Sequence, residues 1–118
     1  MYDPSKKEKA AMWRQISKHK PATPMTGAIQ LDVDFYFKRP KSHYRTGRYK
    51  DLIKDDYKNK LHKISRPDLD NCIKMIADVI QGENRIITDD SQISIINARK
   101  WYATNNQPRT EITIKEIL

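Results

Sequence analysis

The alternation of apolar and polar residues predicts one strand with particular clarity. Between residues 28 and 37 the sequence AIQLDVDFYF changes character at every step, which is the period of a strand with one buried face. The inward positions are Ile29, Leu31, Val33, Phe35 and Phe37. Asp32 and Asp34 fall on the polar face, where we expect solvated charges rather than catalytic acids.

Apolar residues at intervals of three and four predict two helices. The first runs from about Ser5 to His19, and the second begins after Pro67 in RPDLDNCIKMIADVI and stops near Gly82. The alternating pattern predicts two further strands, at residues 92–102 and 110–118. The asparagines and proline of the intervening ATNNQPR predict a hairpin loop between them. The predicted fold class is α+β, with residues 1–118 forming a single domain.

The cysteine, histidine and apolar content excludes several classes of protein. The single cysteine, Cys72, allows no internal disulfide, and we expect a buried or half-buried thiol. The three histidines are far apart, which argues against a zinc site. There is no run of about 18 apolar residues, so no membrane partner is expected and the protein is expected to be soluble and intracellular.

The positive charge is concentrated in one stretch, residues 38–66, which we call the basic segment. The whole chain carries a formal net charge of +8, and the basic segment holds eleven Lys or Arg against three Asp. Charge of this sign favours a polyanionic partner, and tyrosines interleaved with the charges suit a mobile segment that orders on a phosphate backbone. The alternative is a solvated loop. A membrane surface is disfavoured because the segment has no continuous apolar face.

The second helix carries more carboxylates than a helix cap needs. Asp68 in an extended approach and Asp70 in the first turn can converge beside the positive end of the helix dipole. Oxygen ligands without histidine or cysteine favour Mg²⁺ or Mn²⁺, and TDDSQI offers a further ligand in Asp89 or Asp90. The alternative is that these residues have only structural roles. Asp68 would then cap the helix, and Asp89 and Asp90 would be turn residues. The remaining charges would form a ladder of salt bridges on the helix surface, made by Asp70, Lys74 and Asp78. Carboxylates for a hard metal beside a phosphate-binding segment favour a metal-dependent nuclease.

Three features in order along the chain resemble the RusA-type Holliday junction resolvases: RPDLDNCIKMIADVI, then TDDSQI, then Lys100 on the next strand. The upstream stretch KRPKSHY resembles the family's phage and prophage members. The resemblance covers roughly residues 29–117. It implies a small mixed sheet flanked by helices, acting as a homodimer on four-way junction DNA in recombination and repair. It also implies Mg²⁺-dependent, paired symmetric strand cleavage, with Mn²⁺ as a substitute and no small-molecule cofactor. The expected location is the cytoplasm of a bacterial or phage-infected cell.

The resemblance also assigns the site. It matches Asp68, Asp70 and Asp90 to the metal-binding catalytic aspartates and Lys74 to an essential lysine, with Asp89 as a helper ligand. DNA contacts are expected from Lys38, Arg39, Lys41, His43, Arg45, Arg48, Arg66 and Lys100. The strand that usually precedes the first helix is expected to be missing or degenerate. The rival functions are a non-catalytic module that binds branched DNA, and a metal-dependent nuclease of flaps or single strands.

Overall fold

The computed structural model describes residues 5–117, which form two helices and one three-stranded sheet. In chain order these are α1 (Ser5–Ile16), β1 (Ile29–Phe37), α2 (Leu69–Ile80), β2 (Ile93–Tyr102) and β3 (Arg109–Glu116). The α+β class and both helices are confirmed. Within this part of the chain α1 is the first element, and no helix is long and apolar enough to cross a membrane.

The central strand of the sheet is β1. The strand order is β2-β1-β3, with β2 parallel and β3 antiparallel to β1. The hairpin predicted between the last two strands is therefore wrong, because β1 lies between them. The outer strands are about 10 Å apart, two strand spacings, and residues 103–108 are long enough to cross that gap.

The core forms where the apolar face of β1 meets α2. Ile29, Leu31 and Val33 are fully buried, and they join Ile76 and Ile80 of α2 in one cluster. The apolar residues of α1 pack against the edge of this cluster. Burial of alternate residues on a single strand explains why the period-two pattern identified β1 so clearly.

The polar face of β1 differs from the prediction of solvated charges. The Asp34 carboxylate accepts hydrogen bonds from Arg99 Nε at 2.6 Å and from Trp101 Nε1 at 2.9 Å. Asp32 accepts hydrogen bonds from Asn97 and Gln30 at 2.8 and 2.9 Å. These hydrogen bonds lower the pKa of both carboxyl groups. The two aspartates therefore fix β2 against β1.

Replacing Asp34 with asparagine is expected to lower the thermal midpoint of unfolding at pH 7 by about 5 °C. The pKa of Asp34 lies below its ordinary value of 3.8 because Arg99 and Trp101 donate hydrogen bonds to its carboxylate. The stabilisation is therefore complete above pH 3.8 and is lost as the pH falls further. Thermal unfolding at pH 7 and at pH 3 checks this, and an equal difference between variant and wild type at both values would contradict it.

The parallel pairing of β1 with β2 gives the sheet two distinct ends. Both strands finish at the same end, at Phe37 and Tyr102, and we call this the carboxyl end. Tyr102 N donates to Leu61 O at 2.8 Å, so the approach to α2 also runs along this end. Helix α2 then returns to the opposite end, the amino end, where β2 begins at Ile93.

Candidate active site at the carboxyl end of the sheet

Asp68 and Asp70 lie where the chain enters α2. Asp68 is extended (φ −68°, ψ 146°) directly before the helix, and Asp70 is in the first turn. Both are exposed. The extended approach is as predicted, and Asp68 occupies the N-cap position, but its side chain makes no capping hydrogen bond. Two exposed carboxylates thus stand at a helix N-terminus, and the side chain of Asp68 is not used to cap it.

Lys100 holds the segment that leads to these carboxylates. Its Nζ atom donates to Ser65 O at 2.8 Å and to Pro67 O at 2.7 Å. The Nδ1 atom of His62 donates to Lys100 O at 2.7 Å, and the His62 ring stacks on Trp101 at 4.2 Å between centroids. Lys100 was predicted to contact DNA. The structure instead turns its ammonium group onto backbone carbonyls immediately before Asp68.

The proposed surface ladder on α2 is not formed. Lys74 is exposed one turn beyond Asp70, and it makes no ion pair among residues 5–117. Asp78 pairs instead with Lys9 of α1, at 3.2 Å, and so joins the two helices. Lys74 and Asp70 are therefore left on the same solvent-facing side of the first two turns.

The paired aspartates of TDDSQI lie at the amino end. The Asp89 carboxylate accepts a hydrogen bond from Ser91 N at 2.9 Å in a capping box with Gln92, and hydrogen bonding to Ser91 lowers its pKa. Gln92 also donates to the carbonyls of Met25 and Gly27. This role of Gln92 was not predicted from the sequence, although a capping residue followed three positions later by Gln is the sequence signal of a capping box.

Asp90 is separated from Asp68 and Asp70 by the length of α2. Its backbone N–H donates to Gln81 Oε1 at 2.9 Å, and Gln81 is the C-terminal cap of α2. The rise from Asp70 to Gln81 is about 16 Å at ~1.5 Å per residue. Accordingly, the described chain contains no group of three or more His, Cys, Asp or Glu that could hold a metal ion. One chain brings together the first two matched aspartates but not the third.

Two residues that were predicted to contact DNA, Arg39 and His43, are buried inside the basic segment. Arg39 is 6% exposed and donates to Tyr57 O at 3.3 Å and to Lys60 O at 3.0 Å. His43 is 8% exposed and stacks on the Tyr57 ring at 4.1 Å. Burial and the neighbouring Arg39 lower the pKa of His43, which keeps the imidazole neutral at pH 7. These two side chains hold the segment together and are poorly placed to touch a phosphate.

The other cations predicted to contact DNA are exposed. They are Lys38, Lys41, Arg45, Arg48 and Arg66. Arg45 has a weak ion pair with Asp55 at 3.5 Å, and the Arg48 guanidinium lies 5.3 Å from the centre of the Tyr49 ring. The carboxyl end therefore presents both the carboxylate pair and a set of surface cations suited to phosphate oxygens.

Cys72 has the position predicted from its place in the helix. It is a free, half-buried thiol in the first turns of α2. Burial raises its pKa, and the nearby Asp68 and Asp70 act in the same direction. A thiol with a raised pKa is a poor nucleophile, which supports a packing role.

Comparison with known proteins shows which family the chain belongs to. The model of the family "Endodeoxyribonuclease RusA" matches residues 1–115. The chain belongs to the RusA endodeoxyribonuclease family. This RusA-family chain is also 31% identical, over 119 aligned positions, to "Uncharacterized protein YqaN" of Bacillus subtilis (strain 168); the match covers 99% of the chain and 79% of that relative. No solved structure matches it.

The inward orientation of Lys100 gives a prediction for this RusA-family chain. Lys100→Met removes the donor to two carbonyls, and misplacing Asp68 and Asp70 by about 1 Å is expected to slow DNA cleavage by roughly 10²-fold. The affinity for DNA and its salt dependence should stay unchanged, because the ammonium group faces the protein. Cleavage rates and binding curves measure the two effects.

Lys115→Met is the matched control, since Lys115 is an exposed lysine on β3. It should cleave like the wild type. A Lys100→Met protein that cuts DNA normally but binds it weakly would show that Lys100 contacts DNA and does not position Asp68 and Asp70.

Proposed function

We propose that this RusA-family protein is a Mg²⁺-dependent endonuclease that resolves four-way DNA junctions by paired, symmetric phosphodiester hydrolysis as a homodimer. The observation that carries the proposal is the exposed pair Asp68 and Asp70, held at the same end of the sheet as the basic segment. Family membership at residues 1–115 supports the endonuclease activity.

Asp68 and Asp70 suit Mg²⁺, with Mn²⁺ as a substitute. Magnesium keeps several of its waters and typically takes one or two protein carboxylates together with substrate phosphates, which is what an exposed carboxylate pair offers. When bound, the ion would supply activation of a water and stabilisation of negative charge on the scissile phosphate. The positive end of the helix dipole favours negative charge at this position, and Lys100 fixes the backbone that carries the two carboxylates.

Asp90 belongs to the proposed site only through a second copy of the chain. Within one chain α2 separates it from Asp70 by about 16 Å. A two-fold symmetric dimer can place the amino end of one subunit beside the carboxyl end of the other. Under this proposal, the Asp90 of a second copy completes each site, and Asp89 fixes the turn that presents it.

The remaining residues hold and orient the DNA. Lys74, one turn beyond Asp70, neutralises charge on the phosphate that is cut. The exposed cations of the basic segment bind the flanking phosphates, so binding weakens as salt increases. Arg39 and His43 act indirectly, because they fix the shape of that segment.

A panel of labelled substrates tests the proposal against its rivals. Four-way junction, flap, single strand and linear duplex are incubated at equal concentration with protein and Mg²⁺, and initial cleavage rates are compared. The proposal predicts that the junction is cut fastest. A faster rate on flaps or single strands would favour the second nuclease function, and junction binding without cleavage would favour the binding module.

A further inference from the structure

The basic segment encloses a cleft at the carboxyl end of the sheet. Its volume is about 820 Å³, and it lies between the start of the segment and Asn105 of the β2–β3 connection. Pockets for small ligands are usually about 300–1,000 Å³. The cleft is therefore much larger than one phosphate requires, and it has room for a whole nucleotide.

Part of the lining of this cleft is cationic. Lys38, Lys41, Arg45 and Lys50 line it with exposed side chains, against one lining carboxylate, Asp51. Arg39 also lines the cleft, but its buried guanidinium donates to backbone carbonyls and holds the segment together. The exposed cations of the lining attract a phosphodiester group.

Tyr44 and Ile53 form a second, less polar part of the lining, and the backbone fixes them beside each other. They form an antiparallel bridge, and hydrogen bonds of 2.8 Å on either side of it join Arg45 N to Leu52 O and Lys54 N to His43 O. Residues opposite each other in such a pair project to the same face. Both side chains are half-buried and both line the cleft, so together they offer a neighbouring aromatic and aliphatic surface to a base.

We propose that this cleft takes one unpaired nucleotide of a DNA strand, with the phosphate against the exposed lysines and Arg45 of the lining and the base against Tyr44 and Ile53. Bases inside a duplex are stacked and cannot enter a concave site, whereas a nucleotide displaced from its stack can. This inference rests on the proposed function, in which the substrate is a branched DNA. It adds that the protein takes up a single displaced base as well as the backbone.

Fluorescence anisotropy with two short probes tests the inference. One probe is a labelled five-nucleotide single strand, and the other has the same sugar-phosphate backbone with an abasic site at all five positions, so that backbone charge is equal and no base can enter the cleft. The wild type is expected to bind the abasic probe about tenfold more weakly, from the loss of base stacking. Equal affinity for the two probes would overturn the inference, and this comparison needs no variant.

Two variants locate the effect. Tyr44→Leu should bind both probes with the same, reduced affinity, while Tyr49→Leu, an exposed tyrosine outside the cleft lining, should keep the tenfold difference. A tenfold difference that survives Tyr44→Leu would overturn the assignment to this cleft. Competition by free thymidine monophosphate as effective as competition by the strand would also overturn it, in favour of a free nucleotide.

The measurement is made in a metal chelator, so it is independent of cleavage. A base-dependent affinity in a protein that cuts no junction would leave this inference standing and remove the proposed function. Junction cleavage by a protein that binds the two probes with equal affinity would leave the proposed function standing and remove this inference.

Discussion

Asp70→Asn is expected to reduce junction cleavage at least about 10²-fold while leaving junction affinity unchanged. Asparagine keeps the size of the side chain and removes the negative charge that a divalent cation requires. Asp70 is exposed in the first turn of α2 and makes no ion pair in the described chain, so the substitution should not disturb the fold. Initial rates with Mg²⁺ and binding in chelator measure the two properties separately.

Asp56→Asn is the matched control, because it removes an exposed carboxylate from the basic segment. It should cleave at close to the wild-type rate. Normal cleavage by Asp70→Asn would remove Asp70 from the catalytic site, and equal losses in both variants would indicate a general effect of charge on the protein.

Mixing two inactive variants is expected to restore cleavage if Asp90 acts from a second subunit. In a dimer of one Asp70→Asn chain and one Asp90→Asn chain, one site receives both substitutions and the other receives neither. Random exchange makes half the dimers mixed, so roughly a quarter of all sites should be intact. Nicks should reappear, although a mixed dimer can cut only one strand of the pair.

A mixture of Asp68→Asn with Asp70→Asn is the control, because these carboxylates belong to the same chain at the same helix N-terminus and every site keeps one substitution. It should stay inactive. Subunits carrying different tags, refolded together, show that exchange has occurred. An inactive Asp70→Asn and Asp90→Asn mixture containing mixed dimers would contradict the role of a second subunit, as would full activity of Asp90→Asn alone.

The features that sequence predicted well depend on neighbours a few residues away. The alternation of β1, the apolar period of α2 and the extended position of Asp68 before the helix are all local, and the structure confirms each. Asp68 and Asp70 could be paired from sequence for the same reason, since they are two residues apart. A local sequence pattern is sufficient to predict a structural feature when the residues that form it are close together in the chain.

The features that sequence did not predict depend on distant partners. Lys100 bonds carbonyls 33 and 35 residues away, and Arg39 bonds carbonyls 18 and 21 residues away. Neither partner leaves a periodic signal, so Arg39 was assigned to DNA from the charge of the basic segment and Lys100 from the family resemblance. The hairpin prediction failed similarly, because nothing in the loop ATNNQPR reveals that β1 occupies the place between its two strands.

The position of Asp90 shows the same limit at the site itself. The family resemblance matched Asp90 to the same metal site as Asp68 and Asp70. The helix carries the chain to the amino end of the sheet before that turn is made, and Gln81 fixes it there. The resemblance singled out Asp90, whereas the direction of α2 determines which carboxylates one chain can bring together.

The most direct test of the proposed junction cleavage is to map every cut in a four-way junction. The purified protein is incubated with a junction labelled in turn on each strand, with Mg²⁺ and with a chelator. A metal-dependent junction resolvase is expected to give nicks at symmetry-related positions on two opposite strands, only when metal is present. Tight junction binding with no cut on any strand, in Mg²⁺ or in Mn²⁺, would contradict it.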